Sequence, residues 1–309
     1  MEKITFVVNP HAANGAAERL WPGIATQARA RLGEFAAVFT ARMGHATELA
    51  REAAADGAEL VVAVGGDGTL NEVVNGLVQA DGAPVNPRTA LGQICIGTGG
   101  DFRKTTGLPK APAAALEWLT GVKTKPLDVG RLEMTDHDGR PVLRHFVNIA
   151  SFGIGGDVDA RVNRTTKAFG GFASFAWGAL TAMFAYRNKR VHLTLDGVDL
   201  GERVIFSVAV ANGQYFGGGM HMAPAADPHD GMFDVVIIGD IGLGERLAQM
   251  PKIYKAAHLD NPKVEVCRAK KIVATSDEGV YFDVDGEAPG KLPATFTMLP
   301  GMLKLKVKD

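Results

Sequence analysis

Cysteine and net charge are both scarce in this 309-residue sequence. It contains 2 cysteines, and its 33 basic and 34 acidic residues leave a formal net charge of -1. Cys95 and Cys267 lie in apolar runs, which is typical of buried thiols in a reducing compartment and not of a disulfide framework. Because no basic field extends over the chain, the composition argues against nucleic acid as a partner. We therefore expect a cytoplasmic protein.

The common nucleotide and metal motifs are also absent. No segment matches the P-loop pattern G-x-x-x-x-G-K-[ST], and the loop over residues 9–15 lacks the dinucleotide pattern G-x-G-x-x-G. The turn at Gly97 fails the same pattern because Phe102 stands where the last glycine should be. Neither C-x-x-C nor H-E-x-x-H occurs, which argues against the usual structural and protease zinc sites. A nucleotide site in this chain must therefore use another design.

One long stretch of the sequence has no charged residue. Residues 168–186 are uncharged between Lys167 and Arg187, and this length reaches the threshold for a membrane span. The run is rich in glycine and alanine and has no long block of leucine, isoleucine or valine. We therefore expect a buried helix and no transmembrane span. A helix beside an apolar ligand and a helix on a bilayer surface are the alternatives.

Strand and helix patterns alternate in the first part of the chain. Buried runs such as Leu60–Val64 are followed by segments with helical spacing, which predicts an α/β fold with a doubly wound parallel sheet. After Pro126, short strands separated by turns dominate, which predicts a mostly antiparallel β-sandwich. We expect two domains, residues 1–127 and 128–309, with a cleft between them. A return of the extreme C-terminus to the first domain is left open.

The five residues G-G-D-G-T at positions 65–69 join a predicted buried strand to a predicted helix. Backbone N–H groups in such a turn, together with a helix N-terminus, form a cradle for anions. A carboxylate among these amides suggests a metal ion, or water held by one, between Asp67 and the phosphates. Similar turns end other predicted strands at Asn9–Gly15, Thr40 and Gly97–Asp101. Because parallel strands end at one edge of their sheet, these turns predict a nucleotide site.

The longer segment from Gly65 to Gly76, G-G-D-G-T-L-N-E-V-V-N-G, resembles the signature of the diacylglycerol kinase catalytic-domain superfamily. That superfamily includes the sphingosine and ceramide kinases and the soluble bacterial lipid kinases. NAD kinases are similar over the first five residues, and phosphofructokinases have a related turn, whereas the extension Asn71–Gly76 favours the lipid kinases. Further segments resemble family motifs in the same order: Asn9-Pro10 with Gly15, Gly97–Phe102, Asp227–Asp234 and Val284–Glu287.

The resemblance implies a kinase that uses ATP and Mg²⁺. The backbone of residues 65–69 would hold the ATP phosphates, and Asp67 would help to place Mg²⁺, unless it only caps its turn. The implied nucleotide-binding residues are Asn9, Pro10, Gly15, Thr40, Gly65, Gly66, Asp67, Gly68, Thr69, Leu70, Asn71, Thr98 and Asp101. One departure from the family is Gly100, where asparagine is common, and it puts any contact of that amide with nucleotide or metal in doubt.

Two late acidic segments complete the implied site. The resemblance makes Glu287 the general base on the lipid hydroxyl, with Asp285 beside it. If Asp285 and Glu287 lie two residues apart in a strand, both side chains face the cleft. A hairpin turn at these residues is the alternative. In soluble bacterial lipid kinases the positions that match Asp227, Asp230 and the backbone of Met232 bind a second Mg²⁺, and oxygen ligands suit that cation. A solvated acidic turn is the alternative there.

The expected function is ATP-dependent phosphorylation of a lipid hydroxyl, on diacylglycerol or a related glycerolipid, in the cleft between the domains. Such an enzyme would be peripheral to the inner membrane face and would meet its lipid substrate at the membrane surface. Aromatic residues such as Phe172 and Phe175 would line an acyl-chain groove or pack a helix on the sandwich. A homodimer is left open. The alternatives are an NAD kinase-like phosphotransferase and a catalytically weakened lipid- or nucleotide-binding protein, which Gly100 favours.

Overall fold

The computed structural model describes residues 3–97, 99–156, 184–285 and 287–308. The predictions for Thr98, for Phe172 and Phe175, and for most of the uncharged segment 168–186 lie outside the described residues. Within the described ranges, no helix is both long enough and apolar enough to cross a membrane.

Four parallel strands form the first half of a ten-stranded sheet, in the order β2-β1-β3-β4. They are β1 Ile4–Val8, β2 Ala36–Phe39, β3 Leu60–Gly65 and β4 Ala90–Cys95. β1 and β3 are buried along their whole length. Continuous burial is expected of parallel strands with helices on both faces of the sheet.

Helices cover both faces of these parallel strands. They are α1 Ala12–Leu32, α2 His45–Ala55, α3 Asp67–Leu77, α4 Asp101–Thr106 and α5 Pro112–Thr120. Ile24 of α1 and Leu116 of α5 share a core with Val62 of β3. Val73 of α3 shares a second core with Val61, the neighbouring residue of the same strand. Because successive residues of β3 face opposite sides, the predicted doubly wound arrangement is confirmed.

The second half of the described chain consists mainly of strands. They are β5 Thr124–Thr135, β6 Pro141–Phe146, β7 Ile149–Gly153, β8 Lys189–Leu195, β9 Val198–Ile205, β10 Ser207–Ala211, β11 Tyr215–Phe216, β12 Met220–His221, β13 Phe233–Ile238, β14 Val264–Ala269, β15 Lys271–Thr275, β16 Phe282–Val284 and β17 Lys291–Lys306. Between β13 and β14 lie helix α6, Leu243–Ile253, and a 3₁₀ turn, Ala257–Asp260.

Two sheets enclose the core of this second half. The ten-stranded sheet continues from β4 through β17, β15, β8 and β9, and β5 pairs with both β17 and β6. The other sheet has the order β14-β13-β10-β7-β16, and its pairs are antiparallel. Phe152 and Phe296 come from different sheets and stack with their ring centroids 6.1 Å apart. The predicted antiparallel sandwich is confirmed.

Strand β17 belongs to both halves of the molecule. Its residues Lys304 and Leu305 pair in parallel with β4, while its first half pairs antiparallel with β15. The sequence pattern predicts two separate strands here, Ala294–Met298 and Met302–Val307. The structure instead has one strand, with a register shift along β5 and a left-handed φ of 57° at Gly301. The glycine therefore forms an irregularity within a strand and does not end it.

A buried carboxylate holds three chain segments together next to this irregularity. Asp128 of β5 is 2% exposed. One of its oxygens accepts the Gly301 N–H and the other accepts the Gly231 N–H, both at 2.6 Å. The Asp128 N–H donates to the carbonyl of Pro228 at 2.8 Å. Asp128 therefore fixes the loop before β13 and the irregularity in β17 relative to β5.

We expect Asp128→Ala to lower the free energy of unfolding by about 2–6 kcal/mol, because the buried Gly231 N–H and the partly buried Gly301 N–H lose their acceptor at about 1–3 kcal/mol each. Asp128→Asn should lie between this variant and the wild type, since an amide has a single acceptor oxygen. Urea unfolding followed by circular dichroism measures both, with the exposed Asp138→Ala as the matched control. An Asp128→Ala variant as stable as the control would contradict the assignment.

Candidate active site

Three of the turns predicted to bind nucleotide meet at the carboxyl ends of β1, β3 and β4. A Cβ on Gly65 would lie 2.5 Å from Thr69 Oγ1, and a Cβ on Gly97 would lie 3.0 Å from the Gly66 Cα. These approaches favour glycine at both positions, because a side chain at 65 would collide with Thr69 of its own turn and one at 97 would press on the backbone of the neighbouring turn. Asn9 Nδ2 donates to Thr69 Oγ1 at 3.0 Å, which joins the first turn to the other two.

The first turn has an unusual backbone. Ala13, Asn14 and Gly15 take left-handed φ values of 51°, 54° and 78° in succession. The carbonyl of Pro10 accepts the Glu18 N–H at 3.2 Å, so the chain closes over these three residues before α1 becomes regular. Left-handed non-glycine residues are strained and concentrate at functional sites. The strain falls on the loop from Asn9 to Gly15 that the sequence predicts to bind phosphate.

Thr40 and Leu70 fill structural positions near these turns. Thr40 is buried at the end of β2, and its N–H donates to the carbonyl of Val8 at 2.9 Å. The Leu70 side chain is buried in the core between α3 and the sheet. In contrast, a Cβ on Gly68 would meet no atom within 4 Å. Of the residues predicted in this region, Gly68 therefore has open space beside it, whereas the side chain of Leu70 contributes to packing.

Asp67 holds the second glycine turn in place. Its carboxylate accepts the Asp101 N–H at 3.1 Å and the Phe102 N–H at 3.3 Å, at the first residues of α4. Burial raises the pKa of Asp67, and the nearby Asp101 carboxylate raises it further. Asp67 therefore has the capping role that the sequence left open. The turn that it caps is the one before α4 and not its own.

Asp101 connects the N-terminal half to the second half of the chain. Its Oδ1 pairs with Lys104 Nζ at 2.8 Å, and its Oδ2 accepts the Gly218 N–H at 2.8 Å. Thr105 Oγ1 accepts the Gln214 N–H at 2.9 Å from the same part of the second half. Helix α4 thus docks on the segment after β10. Lys104 was missed from the sequence, although its position three residues after Asp101 on a helix is a signal for such a pair.

Asn71 joins the signature helix α3 to the late acidic motif. Its Nδ2 donates to Asp285 Oδ2 at 2.7 Å and to the carbonyl of His145 at 3.1 Å. The other Asp285 oxygen accepts the Ile149 N–H at 3.1 Å. One turn further along α3, Asn75 both donates to the His145 carbonyl and accepts the His145 N–H, each at 2.8 Å. Two amides on one face of α3 therefore position β6 and Asp285.

The late acidic motif is a tight chain reversal and not a continuous strand. Val284 and Glu287 exchange backbone hydrogen bonds of 2.8 and 3.0 Å, and Asp285 has a left-handed φ of 48°. The expectation that strand alternation brings Asp285 and Glu287 to one face is therefore wrong, because β16 ends at Val284. The hairpin alternative is the correct local structure, and hydrogen bonds from Asn71 and Ile149 orient Asp285.

Both acids of this motif have raised pKa values. Burial raises the pKa of Asp285 to about 7, against the hydrogen bonds from Asn71 and Ile149 that favour its ionised form. Burial also raises the pKa of Glu287, the nearby Glu72 carboxylate adds to the shift, and Arg144 opposes it. A carboxylate with a pKa near neutrality accepts a proton more readily than an ordinary one. The motif therefore has the acidity expected of an acid–base site.

The remaining signature residues pack α3 against α2. The Glu72 carboxylate accepts the N–H groups of Gly44 and Ala46 at 2.9 and 3.0 Å, at the start of α2. A Cβ on Gly76 would lie 2.4 Å from the carbonyl oxygen of Thr47. The signature from Gly65 to Gly76 thus combines a turn, a helix contact and a connection to Asp285.

Gly100 occupies a tight position at the start of α4. It is left-handed, with φ 62° and ψ 45°, a conformation that asparagine also tolerates. A Cβ there would lie 3.0 Å from Cys95 Sγ and 3.2 Å from Arg103 Nε. A side chain at position 100 would therefore require a small shift of the Cys95 and Arg103 side chains, which glycine avoids.

The residues predicted to hold a second Mg²⁺ have other partners. Asp227 accepts the His229 N–H at 3.1 Å, and Asp230 accepts the Met232 N–H at 3.0 Å and forms an ion pair with Arg268. Within the described part of the chain, no group of three or more His, Cys, Asp or Glu residues is arranged to hold a metal ion. Both carboxylates of this loop therefore have protein partners, and Mg²⁺ at Asp227, Asp230 and the Met232 backbone stays a prediction.

Comparisons with known proteins agree with the motifs. Residues 3–132 match the diacylglycerol kinase catalytic domain, and residues 148–307 match the YegS C-terminal NAD kinase beta sandwich-like domain. A diacylglycerol kinase of Bacillus subtilis (strain 168) is 31% identical over 259 residues, covering 83% of this chain and 80% of the relative. A diacylglycerol kinase of Mycobacterium tuberculosis (strain ATCC 25618 / H37Rv) is 28% identical, covering 98% of this chain and 94% of the relative.

A solved structure has the same fold. A protein of Bacillus anthracis str. Sterne, provisionally identified as a diacylglycerol kinase, superimposes with a TM-score of 0.79. It is 27% identical, and the match covers 99% of this chain and 95% of that one. The similarity extends over both halves of the molecule.

We expect the raised pKa of Asp285 to make stability fall as pH rises. Between about pH 4 and pH 7 the folded state binds this proton more tightly than the unfolded state, since the ordinary pKa is 3.8 and the folded value is about 7. The contribution of Asp285 is therefore fully present below pH 4 and is lost as pH rises through 7. Urea unfolding across this range should show a steeper fall for the wild type than for Asp285→Asn, and parallel curves would contradict the assignment.

Proposed function

The chain belongs to the diacylglycerol kinase family, and on this premise we propose that it transfers the γ-phosphoryl group of ATP to the hydroxyl of diacylglycerol or a related glycerolipid. The observation that carries the proposal is the 2.7 Å hydrogen bond from Asn71 to Asp285. It places the glycine turns of the N-terminal half next to the late acidic motif. A kinase needs this combination, because the phosphates and the group that receives the hydroxyl proton must lie at one site.

ATP would bind at the joined turns of β1, β3 and β4. The N–H groups of residues 65–69 lie at the start of α3, where the helix dipole favours the negative charge of phosphates. The contact between Asn9 and Thr69 keeps the first turn against this cradle. Gly68 leaves open space beside it, so that a phosphate can approach the backbone closely.

Carboxylates near the turns fit the Mg²⁺ that accompanies ATP. The Asp67 carboxylate raises the pKa of Asp285, and the Asp101 carboxylate raises the pKa of Asp67, which shows that these acids repel one another. Asp67 and Asp285 would hold the cation, which would neutralise the phosphate charge and relieve this repulsion. Carboxylate oxygens are the ligands that Mg²⁺ prefers in proteins.

Glu287 would act as the general base. Its pKa is raised by burial, which makes the carboxylate a better proton acceptor than an exposed glutamate. Arg144 opposes this rise in the pKa of Glu287 and so favours its ionised form. Asp285, which Asn71 and Ile149 orient, would help to hold the cation beside it. The acceptor hydroxyl would meet the γ-phosphate between these acids and the glycine turns, in the cleft between the two halves.

The enzyme would work at the membrane surface, on the cytoplasmic side, because its acceptor is a lipid. An NAD kinase-like activity is the main alternative, since the shorter turn at residues 65–69 is common to both families. The complete signature through Gly76 and the similarity to diacylglycerol kinases over nearly the whole chain support the lipid acceptor.

The test is transfer of radiolabel from [γ-³²P]ATP to mixed micelles that contain diacylglycerol, with NAD offered in a parallel reaction. We expect labelled phosphatidic acid from the wild type and turnover at least about 10²-fold lower from Glu287→Gln, with ATP affinity unchanged. The exposed Glu52→Gln is the matched control and should behave as the wild type does. Label in NADP with none in lipid would refute the proposed acceptor. Wild-type turnover in Glu287→Gln would refute the assignment of the base.

A further inference from the structure

Arg268 lies among the acids of the loop that leads into β13. Its Nη2 pairs with Asp230 Oδ2, and its Nε lies 3.8 Å from Asp234 Oδ2. Asp234 and Arg268 are also direct partners in the pairing of β13 with β14. The register of the two strands therefore places the Arg268 backbone directly opposite Asp234, from where its side chain reaches both acids.

Asp234 depends on this guanidinium for its charge balance. The residue is 3% exposed, and its Oδ2 has no hydrogen-bond partner among the described residues. A buried carboxylate without a counter-charge is costly, so Arg268 supplies a positive charge that the fold requires.

The same guanidinium places a positive charge where a cation on Asp230 would bind. One Asp230 oxygen pairs with Arg268 and the other accepts the Met232 N–H at 3.0 Å, while Asp227 accepts the His229 N–H at 3.1 Å. Mg²⁺ demands near-octahedral oxygen ligands at about 2.1 Å. A divalent cation beside Asp230 would therefore have to displace a guanidinium and would meet its positive charge.

We propose that Arg268 takes the place of the second Mg²⁺ that the family resemblance implies at residues 227–234, so that an internal cation orients this loop. The consequence for activity rests on the proposed function: the kinase needs the Mg²⁺ that accompanies ATP and no further divalent cation at this loop. Arg268 is thus a positioning residue that acts through the loop.

The loop that Arg268 orients is connected to the candidate active site. Its Gly231 N–H donates to the Asp128 carboxylate at 2.6 Å. Asn212 Nδ2 donates to the carbonyls of Asp128 and Val147 at 3.0 and 2.8 Å. Two residues after Val147, the N–H of Ile149 donates to Asp285. The position of the loop is thereby transmitted to the backbone that holds Asp285.

The first experiment measures thermal unfolding without nucleotide, in EDTA and in 10 mM MgCl₂. We expect Mg²⁺ to shift the melting temperatures of wild type and Asp230→Asn equally, because the loop binds no divalent cation. Arg268→Gln should melt about 2–6 °C below the wild type in EDTA, and MgCl₂ should recover part of this loss. Arg268→Lys, which keeps the charge, should lie closer to the wild type.

The opposite pattern would overturn the proposal. Two results would do so: a melting temperature of the wild type that rises with Mg²⁺ while that of Asp230→Asn does not, or an Arg268→Gln variant as stable as the wild type in EDTA. If Arg268→Gln does not fold, the comparison of wild type with Asp230→Asn still decides. These measurements contain no substrate, so their outcome is independent of the proposed lipid kinase activity.

The second experiment measures the rate of lipid phosphorylation at a fixed, saturating concentration of MgATP while free Mg²⁺ is varied. We expect the rate of the wild type to be independent of free Mg²⁺, the rate of Arg268→Gln to rise with it, and Arg268→Lys to restore independence. A wild-type rate that rises with free Mg²⁺, with the rise lost in Asp230→Asn, would contradict the proposal. Absence of turnover in every variant would count against the proposed function, while the melting temperatures would still test the role of Arg268.

Discussion

The hydrogen bond from Asn71 to Asp285 joins two motifs that are 214 positions apart in the chain. The first motif supplies glycine turns at the ends of parallel strands, and the second supplies an acid on a tight reversal of the sandwich. Neither motif alone has both a phosphate cradle and a proton acceptor. The amide of Asn71 also donates to the carbonyl of His145, so the same side chain fixes β6 as well. The site depends on this connection.

The fold makes the connection by sharing one sheet between its two halves. β17 pairs with β4 at one end and with β15 at the other, so the N-terminal strands and the sandwich cannot move independently along that edge. Asp101 adds a contact across the same boundary, through the N–H of Gly218, whose positive φ suits it to its turn. Buried carboxylates in this protein therefore hold backbone segments in place. The raised pKa values of some and the ion pairs of others follow from that role.

Much of this arrangement could be predicted from local sequence patterns. Buried runs followed by helical spacing identified the parallel sheet, and the segment from Gly65 to Gly76 identified the family. The patterns were less successful where the partner lies far away in the chain. The patterns predict a strand through Asp285 and two separate strands in place of β17. Both predictions fail because hydrogen-bond partners far away in the chain decide these conformations. No local signal identifies Arg268, whose role comes from its pairing opposite Asp234.

The central claim is that Asn71 and Asp285 form one energetic unit, and a double-mutant cycle tests it most directly. Asn71→Ala and Asp285→Gly are suitable, since glycine accepts the left-handed backbone at position 285. The free energies of unfolding of wild type, both single variants and the double variant would be measured at pH 8, where Asp285 is largely ionised. The account predicts a coupling energy of about 1–3 kcal/mol, and effects that add within about 0.5 kcal/mol would contradict it.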